Sequence, residues 1–396
     1  MFWSDAMARG ARRSSERGSG NKFLLHVTPY RASSRLCCRL ARLQGVARRW
    51  RGGQAPYASP FRSRRDKLQI FSSLGVMQGR GFPRALLPAL LLLSAAAPPP
   101  SAFEVVALGV NGGVEEPTSA YHIVAHGNRS GVMCDVGTLA SGLDRAVRKG
   151  RYPGADSRGQ VMDSIAAYLI THAHLDHVAG LVLASPDDTQ KDIMSLPQVN
   201  QALADHYFNW VAWPNMGDRG PSPHIGKYHY KDLEPGGTPE PIAGTGMTVT
   251  AYPLSHGGVT STAFLLRSGP DAFLCLGDTG PDAVEHATNL EDLWRAVAPL
   301  VRQGRLRGML IEVSYPDPVP AARLYGHLTP MWLNTELQTL RRMTQDDARM
   351  RALPILVTHI KPSGAARSSR RSVERQLEKI GFFKFMIAEE GRKYAL

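Results

Sequence analysis

The segment HAHLDH, which begins at His172, places four side chains that can bind a metal ion within six positions. It follows the apolar run IAAYLIT (165–171), whose composition predicts a short buried strand. Residues i and i+2 of an extended segment point to the same side, so the imidazoles of His172 and His174 can meet one ion. Asp176 and His177 come as the chain turns into the next element and can serve an adjacent ion. Two ions need further ligands, and the fold has to bring them to the end of the same strand.

Three other polar residues end apolar, strand-like runs in the same way: His256 after MTVTAYPLS, Asp278 after DAFLCLG and His359 after LPILVT. A single histidine at a strand end is more often a hydrogen-bonded surface residue than a ligand, but the dense cluster changes this balance. A carboxylate can bridge two ions, and Asp278 is the candidate for that role. Nitrogen and carboxylate donors without cysteine favour Zn²⁺, with Mn²⁺ or Fe as alternatives. The predicted ligand sets are His172, His174, His256 and Asp278 for one ion, and Asp176, His177, His359 and Asp278 for the other.

The order of predicted elements favours an α/β protein with stacked sheets. Strand-like runs come in groups, as in 103–137 and 247–278, and later alternate with helical segments such as 289–301. Residues 214–246 have many Pro and Gly and are expected to be rich in loops. Two sheets with helices outside fit this order, and an ordinary α/β sheet fits it as well. The run VAGLVLASP after HAHLDH is expected to be a buried helix behind the ligands.

The continuation of the cluster carries a family resemblance. HAHLDHVAGLVLASP resembles, over its whole length, the signature of the class II 3',5'-cyclic-nucleotide phosphodiesterases of the metallo-β-lactamase superfamily. The segments LGVNGG, LRGMLIEVSYPD, LYGHLTP and ILVTHIKPS are similar to further blocks of that family, in the same order. The resemblance covers about residues 103–396. It implies an αββα sandwich, in which two packed mixed sheets are flanked by helices, and a two-metal centre on the seven residues above.

The resemblance also implies an activity, the hydrolysis of a 3',5'-cyclic nucleotide to the 5'-monophosphate. In the expected mechanism a hydroxide that bridges two cations attacks phosphorus in line with the 3'-oxygen. The expected substrate is cAMP, and cGMP stays open because no residue of the sequence identifies the base. One alternative is another hydrolase of the superfamily, acting on RNA, a thioester or a lactone. A non-catalytic receptor for cyclic nucleotides is disfavoured, because such a site is expected to lose ligands and all seven are present.

Three residues are candidates for roles beside the metals. His327, in YGHLTP, is predicted to protonate the leaving 3'-oxygen or to contact the phosphate, with capping of the following helix as the alternative. Asp176 is predicted to orient the attacking water in addition to binding metal. Asn111, in the NGG turn, is predicted to lie near the substrate, although a plain turn role fits equally well.

The positive net charge of the chain belongs to its N-terminal quarter. The first 100 residues hold 18 of the 47 Lys and Arg side chains and 3 of the 34 Asp and Glu side chains. The body of the protein is therefore close to neutral, which gives no support to a nucleic-acid partner. Residues 1–76, rich in Arg, Ser and Gly, are predicted to form a disordered basic extension. A transit segment or a misplaced start codon are the alternatives for this region.

Residues 77–101 resemble a signal peptide, because Arg80 and Arg84 precede a short apolar run and then a group of small residues. The predicted organisation is this segment followed by a metallo-hydrolase domain over 102–396. If the signal operates, the protein is secretory or extracytoplasmic and keeps no membrane span after cleavage. Otherwise it is cytoplasmic or organellar, and an uncleaved anchor is a further alternative. The oligomeric state stays open, with a dimer as one option.

Cys134 and Cys275 each lie in an apolar, strand-like run, where a buried free thiol is the ordinary expectation. A disulfide between them is an alternative that the sequence cannot decide. The other two cysteines, Cys37 and Cys38, lie in the N-terminal extension.

Overall fold

The computed structural model describes residues 102–362 and 366–396. The predicted extension over 1–76 and the signal-like segment over 77–101 lie outside the described residues. Within the described ranges, no helix is both long enough and apolar enough to cross a membrane.

Fourteen strands and nine α-helices make up the described part of the chain. The strands are β1 (Phe103–Gly109), β2 (Ala120–Ala125), β3 (Gly131–Val136), β4 (Ile165–Leu169), β5 (Lys191–Ser195), β6 (Tyr228–Asp232), β7 (Glu240–Ile242), β8 (Met247–His256), β9 (Val259–Ser268), β10 (Asp271–Leu276), β11 (Leu306–Glu312), β12 (Pro354–Thr358), β13 (Lys384–Ile387) and β14 (Lys393–Ala395). The helices are α1 (Ala140–Arg148), α2 (Arg158–Ser164), α3 (Leu175–Ala184), α4 (Pro197–His206), α5 (Asp282–Glu285), α6 (Asn289–Arg302), α7 (Pro330–Thr344), α8 (Asp347–Ala352) and α9 (Ala366–Ile380). The central strands are rich in buried Val, Ile, Leu, Ala and Phe, which pack well on a pleated surface.

The strands form two seven-stranded mixed sheets. The first has the order β14-β1-β2-β3-β4-β5-β6, and the second has the order β13-β12-β11-β10-β9-β8-β7. The strands from β3 to β6 are parallel to one another, as are those from β10 to β13, whereas the other pairs are antiparallel. Parallel strands end at the same edge of a sheet, so the residues that follow them meet there.

The two sheets pack face to face, and helices cover their outer faces. Phe103 of β1 and Phe273 of β10 meet in the core between the sheets, where their ring centroids are 5.9 Å apart. A second core lies between the second sheet and α6, α7 and α9 and includes Trp294 and Leu337. The αββα sandwich is therefore confirmed, and a single α/β sheet is excluded.

The segment 214–246, expected to be rich in loops, also contains the strands β6 and β7, which the sequence analysis did not identify. Both are edge strands of their sheets. In β6, the sequence YHYKD alternates buried tyrosines with less buried polar residues, and β7 has only three residues. Short polar edge strands leave a weak signal in a Pro- and Gly-rich sequence.

The expectation that the apolar run after HAHLDH is a buried helix holds for only one face of α3. Val178 and Leu181 are fully buried on the side that packs against β3. Leu175 and Leu183 are 64% and 67% exposed on the other side. Because nearly every residue of this helix is apolar, its sequence does not distinguish the buried face from the exposed one.

Cys134 of β3 and Cys275 of β10 form a disulfide, so the expectation of two free thiols is wrong. The two strands belong to different sheets, and both cysteines are fully buried in the core between them. The bond thus joins the sheets across a sequence separation of 141 residues. The sequence alone does not show which two inward-facing positions lie opposite each other.

Candidate metal centre

The four metal-capable residues of HAHLDH lie where the first sheet ends. The chain leaves β4 and passes through His172 and His174 before α3 begins at Leu175. Asp176 and His177 therefore lie in the first turn of that helix. The chain thus changes from extended to helical between the two pairs of side chains.

The second sheet supplies the other three predicted ligands at the same edge of the sandwich. His256 is the last residue of β8, Asp278 lies two residues beyond the end of β10, and His359 directly follows β12. All three side chains are buried. The topology thus brings together all seven residues that were selected from strand ends.

One group of donors consists of His172, His174 and His256. Nδ1 of His174 lies 3.0 Å from Nε2 of His172 and 3.3 Å from Nε2 of His256. These atoms are close enough to share one ion. His172 and His256 are buried whereas His174 is exposed, so the group is open to solvent on one side.

A second group consists of Asp176, His177 and His359. Nε2 of His359 lies 3.1 Å from Oδ2 of Asp176 and 3.2 Å from Nε2 of His177. These three residues can also hold one ion. Asp278 lies between the groups, since its Oδ2 is 3.1 Å from Nε2 of His359 and 4.0 Å from Nε2 of His172. A carboxylate in this position could bind an ion held by either group.

In four of the imidazoles, Nδ1 contacts a neighbouring group and Nε2 points toward the centre of the cluster. Such outer partners orient metal-binding histidines and set which nitrogen is free to bind. The arrangement fits divalent cations, because Nε2 atoms and carboxylate oxygens converge on one small space. The pairs, each 2.7 to 3.0 Å apart, are His172 with Thr171, His177 with Asp135, His256 with the carbonyl of Gly326, and His359 with Ser314.

The electrostatic environment keeps three of the histidines neutral. Burial lowers the pKa of His172, His174 and His256 below the usual value, and the neighbouring imidazoles lower each of them further. His177 differs, because Asp278 and Asp135 outweigh its burial and raise its pKa well above the usual value. A cation bound to Nε2 of His177 would therefore have to displace a proton, which makes binding at this position pH-dependent.

The two carboxylates of the centre are ionised. Burial by itself would raise the pKa of Asp176, but the hydrogen bond from His359 and the charge of His177 hold it well below the usual range. Burial is likewise outweighed at Asp278, where the charges of His359 and His177 lower the pKa. Ionised carboxylates are the form that binds divalent cations.

The NGG turn after β1 closes over the second group. The amide of Gly113 donates a hydrogen bond of 2.7 Å to Oδ2 of Asp176. A Cβ on Gly112 would lie 2.4 Å from the ring of His359, so only glycine leaves room for that imidazole. Asn111 pairs through its backbone with Ile360 and lines a cavity of about 370 Å³. Its contact with the substrate stays a prediction.

His327 is buried beside the seven predicted ligands. Its Nδ1 lies 3.7 Å from Oδ2 of Asp278, and its ring stacks on that of His359 with centroids 5.5 Å apart. Burial lowers its pKa to about 4. The alternative role of helix cap falls to Thr329, whose side chain accepts a hydrogen bond from the amide of Trp332 in α7.

Three residues with evident roles were missed in the sequence. Glu312 ends β11 and lies 2.7 Å from Nδ1 of His327, and Lys361 lies 2.7 Å from Nε2 of the same ring. Asp135 of β3 lies 2.7 Å from Nδ1 of His177 and so orients that ring. Each left a signal, because Glu312 and Asp135 are the only carboxylates in their strands and Lys361 comes two residues after a predicted ligand.

An αββα sandwich with clusters of histidine and aspartate donors at one edge is the architecture of the metallo-β-lactamase fold. A model of the family of class-II cAMP phosphodiesterases matches residues 153–386, more than half of the chain. The chain therefore belongs to the class-II cAMP phosphodiesterases, and the resemblance seen in its motifs is confirmed. It is an enzyme of the cyclic-nucleotide phosphodiesterase class.

Individual relatives agree with this assignment. A 3',5'-cyclic-nucleotide phosphodiesterase of Aliivibrio fischeri is 42% identical over 272 residues, which cover 66% of this chain and 82% of the relative. The 3',5'-cyclic-nucleotide phosphodiesterase 1 of Saccharomyces cerevisiae is 30% identical over 254 residues, or 59% of this chain and 68% of the relative. The crystal structure of unliganded yeast PDE1 superposes with a TM-score of 0.66 and 25% identity, covering 75% of this chain and 100% of the yeast chain.

Proposed function

We propose that the enzyme cleaves the 3'-phosphoester bond of cAMP, and also of cGMP, to give the 5'-monophosphate at a centre of two divalent cations. The observation that most supports this proposal is the position of Asp278 between the two groups of donors. Its Oδ2 lies 3.1 and 3.4 Å from Nε2 of His359 and His177, and 3.9 and 4.0 Å from Nε2 of His256 and His172. One carboxylate thus joins two sets of ligands, which suits a substrate whose phosphodiester charge has to be neutralised.

The ligands are assigned to the same two sets as in the sequence, with Asp278 shared. Zn²⁺ is the favoured cation, because the donors are imidazole nitrogens and carboxylate oxygens, and Mn²⁺ and Fe accept the same donors. Two bound cations would supply positive charge to the phosphoryl oxygens and lower the pKa of the attacking water. The exposed side of His174 leaves room for the phosphate to approach.

Asp176 is proposed to orient the attacking water. Its carboxylate is fixed by the amide of Gly113, and its side chain keeps 15% of its surface exposed. An ionised carboxylate can only accept hydrogen bonds, so a water beside it presents a lone pair in the opposite direction. The orientation aligns this lone pair with the phosphorus atom.

His327 and Asn111 are proposed to act on the substrate side of the centre. His327 lies against Asp278 and its ring stacks on that of His359, which supports a position beside the bound phosphate. Asn111 lies in the turn that covers the second group of donors and lines the adjacent cavity. Its amide can accept and donate hydrogen bonds, as binding of a ribose or a base requires.

We further propose that the signal-like segment over 77–101 operates and that the enzyme works outside the cytosol. The Cys134–Cys275 disulfide supports this location, because disulfides persist in oxidising compartments and are rare in the cytosol. N-terminal sequencing of the protein from its native source tests the proposal. A mature terminus just before the predicted domain is expected, and one upstream of Met77 would contradict it.

A substrate panel tests the proposed reaction. The full chain is incubated with cAMP, cGMP, bis(4-nitrophenyl) phosphate and a thioester, and the products are separated by chromatography. The expected result is turnover of cAMP to 5'-AMP with the highest kcat/KM of the panel. Preference for the thioester would overturn the proposal in favour of another hydrolase of the same fold.

A further inference from the structure

We propose that Lys361 is a catalytic residue that stabilises the negative charge developing on the leaving 3'-oxygen, and that Glu312 and His327 position it. The proposal rests on the proposed cleavage of the 3'-phosphoester bond. It gives His327 a positioning role in place of direct proton donation.

The direction of the hydrogen bonds decides which residue is the donor. An ammonium group can only donate, so the 2.7 Å contact between Lys361 and Nε2 of His327 makes that nitrogen an acceptor. The proton of the neutral ring is then on Nδ1, which donates to Glu312 at 2.7 Å. Both nitrogens of His327 are occupied, and His327 has no hydrogen left for the substrate. The ammonium of Lys361 has no other hydrogen-bond partner among the described residues, so two of its N–H groups remain to donate.

Glu312 is a rigid end point for this chain of hydrogen bonds. Its carboxylate is buried and also accepts from the amide of Thr279 at 3.1 Å and from the hydroxyl of Ser314 at 2.7 Å. Ser314 in turn contacts Nδ1 of His359 at 3.0 Å. The position of the ammonium is therefore coupled to the same framework that holds a predicted metal ligand.

The stem of Lys361 lies along the NGG turn, next to the second group of donors. A Cβ on Gly113 would lie 3.7 Å from Cδ and Cε of Lys361, which is ordinary van der Waals distance, so the stem runs along the NGG turn. The ammonium lies 5.8 Å from the centroid of the Tyr315 ring. Lys361 is half-buried, so a bound substrate can reach its free N–H groups.

The chemistry of the proposed reaction indicates what the Lys361 ammonium group does. When water attacks phosphorus, a new P–O bond forms, the P–O3' bond breaks, and the bonding electron pair stays on the 3'-oxygen. The attacking water releases a proton to the solvent, and the 3'-oxygen takes one from the solvent to become the 3'-hydroxyl. A ribose alkoxide is a poor leaving group, so a preorganised cation that hydrogen-bonds to it lowers the barrier. Lys361 keeps its own protonation state throughout.

The test compares leaving groups. Lys361→Met and Lys361→Gln are assayed in the full chain with cAMP and with the analogue in which sulfur replaces the 3'-oxygen. A thiolate leaves without the help of a donor. We expect kcat on cAMP to fall by about 10²- to 10³-fold, as for loss of one oxyanion donor, while kcat on the thio analogue stays within about threefold of the parent. Lys384→Met, in an exposed position of β13, is the matched control and should change neither rate.

Other outcomes overturn the proposal. Equal losses on both substrates would mean that Lys361 only binds the phosphate, and no loss on either would mean that it has no catalytic role. Metal content and melting temperature are measured for each variant, and loss of metal would assign Lys361 to the framework of the centre. If the parent chain fails to cleave cAMP at all, the proposed function itself is wrong, which is distinct from each result above.

Discussion

Nδ1 of His177 lies 2.7 Å from Oδ2 of Asp135, a carboxylate buried next to the half-cystine Cys134. The same carboxylate accepts hydrogen bonds from the amide and the hydroxyl of Thr171, at 2.8 and 2.9 Å. Asp135 has a backbone φ of 55°, a conformation that residues other than glycine rarely adopt. One residue thus connects the disulfide, the start of the HAHLDH loop and a predicted ligand.

Asp135→Asn is expected to weaken metal binding without unfolding the protein. An amide keeps the shape but lacks the charge that turns and polarises His177, and loss of such a partner costs about 10- to 100-fold in metal affinity. Competition with a chromophoric chelator measures the change. Asp144→Asn, at an exposed ion pair with Arg158, is the control. Unchanged affinity in Asp135→Asn would show that this contact does not support the metal centre.

Asp278→Ala is expected to remove both cations, because its carboxylate lies within reach of both sets of ligands. Turnover of cAMP should fall by more than about 10³-fold, since both charges at the phosphate are lost together. Elemental analysis of the purified variant gives the metal content. Asp163→Ala, at an exposed position of α2, should keep full content. Retention of two ions per chain by Asp278→Ala would contradict the bridging role.

The Cys134–Cys275 disulfide is expected to stabilise the fold strongly. It closes a loop with a sequence separation of 141 residues, and removal of a native disulfide of this kind costs about 2 to 5 kcal/mol. Urea unfolding of Cys134→Ser/Cys275→Ser and of the parent chain measures the difference. The parent should lose the same stability in reductant, whereas the double variant should not respond. Peptide mapping that finds both thiols free in the native protein would contradict the bond.

Glu336 of α7 is expected to destabilise the protein progressively as the pH rises from 4.5 to about 7. Burial and the nearby Asp282 raise its pKa from 4.5 to about 7. The folded state therefore binds more protons than the unfolded state between these values, and stability falls as the pH rises through this window. Above about pH 7 the full loss of folding stability is present, and below pH 4.5 it is absent.

The variant Glu336→Gln isolates this effect. It should be more stable than the parent by about 1 to 2 kcal/mol at pH 8, since some contact with solvent reduces the full penalty, and the gain should shrink toward pH 5. Chemical unfolding at both pH values measures it. Glu378→Gln, at an exposed position of α9, serves as control. A gain of equal size at both pH values would point to packing instead of charge.

The ligands could be predicted because the apolar sequence of a strand shows that the strand is buried, and a polar residue at its end shows where it stops. His256, Asp278 and His359 stand out as polar residues that close or follow apolar runs, and parallel strands bring such ends together. The helix α6 was also evident, because its apolar residues recur with helical spacing. The family resemblance then supplied the sandwich and the substrate class.

Other features depend on contacts that have no sequence pattern. Asp135, Glu312 and Lys361 each act on a ligand or on His327 from a distant part of the chain, and only the folded structure shows the pairing. The partner of Cys134 was undecided for the same reason. The edge strands β6 and β7 were missed because short polar strands resemble loops.

Metal-dependent turnover of cAMP by the full chain tests the central claim most directly. The protein is assayed as purified, after chelation and after addition of Zn²⁺, and bound metal is counted by elemental analysis at each stage. Hydrolysis of cAMP to 5'-AMP is predicted with two ions per chain, together with loss of activity on chelation and its return with the metal. Turnover that persists after both ions are removed, or no turnover of cAMP by the fully loaded enzyme, would contradict the account.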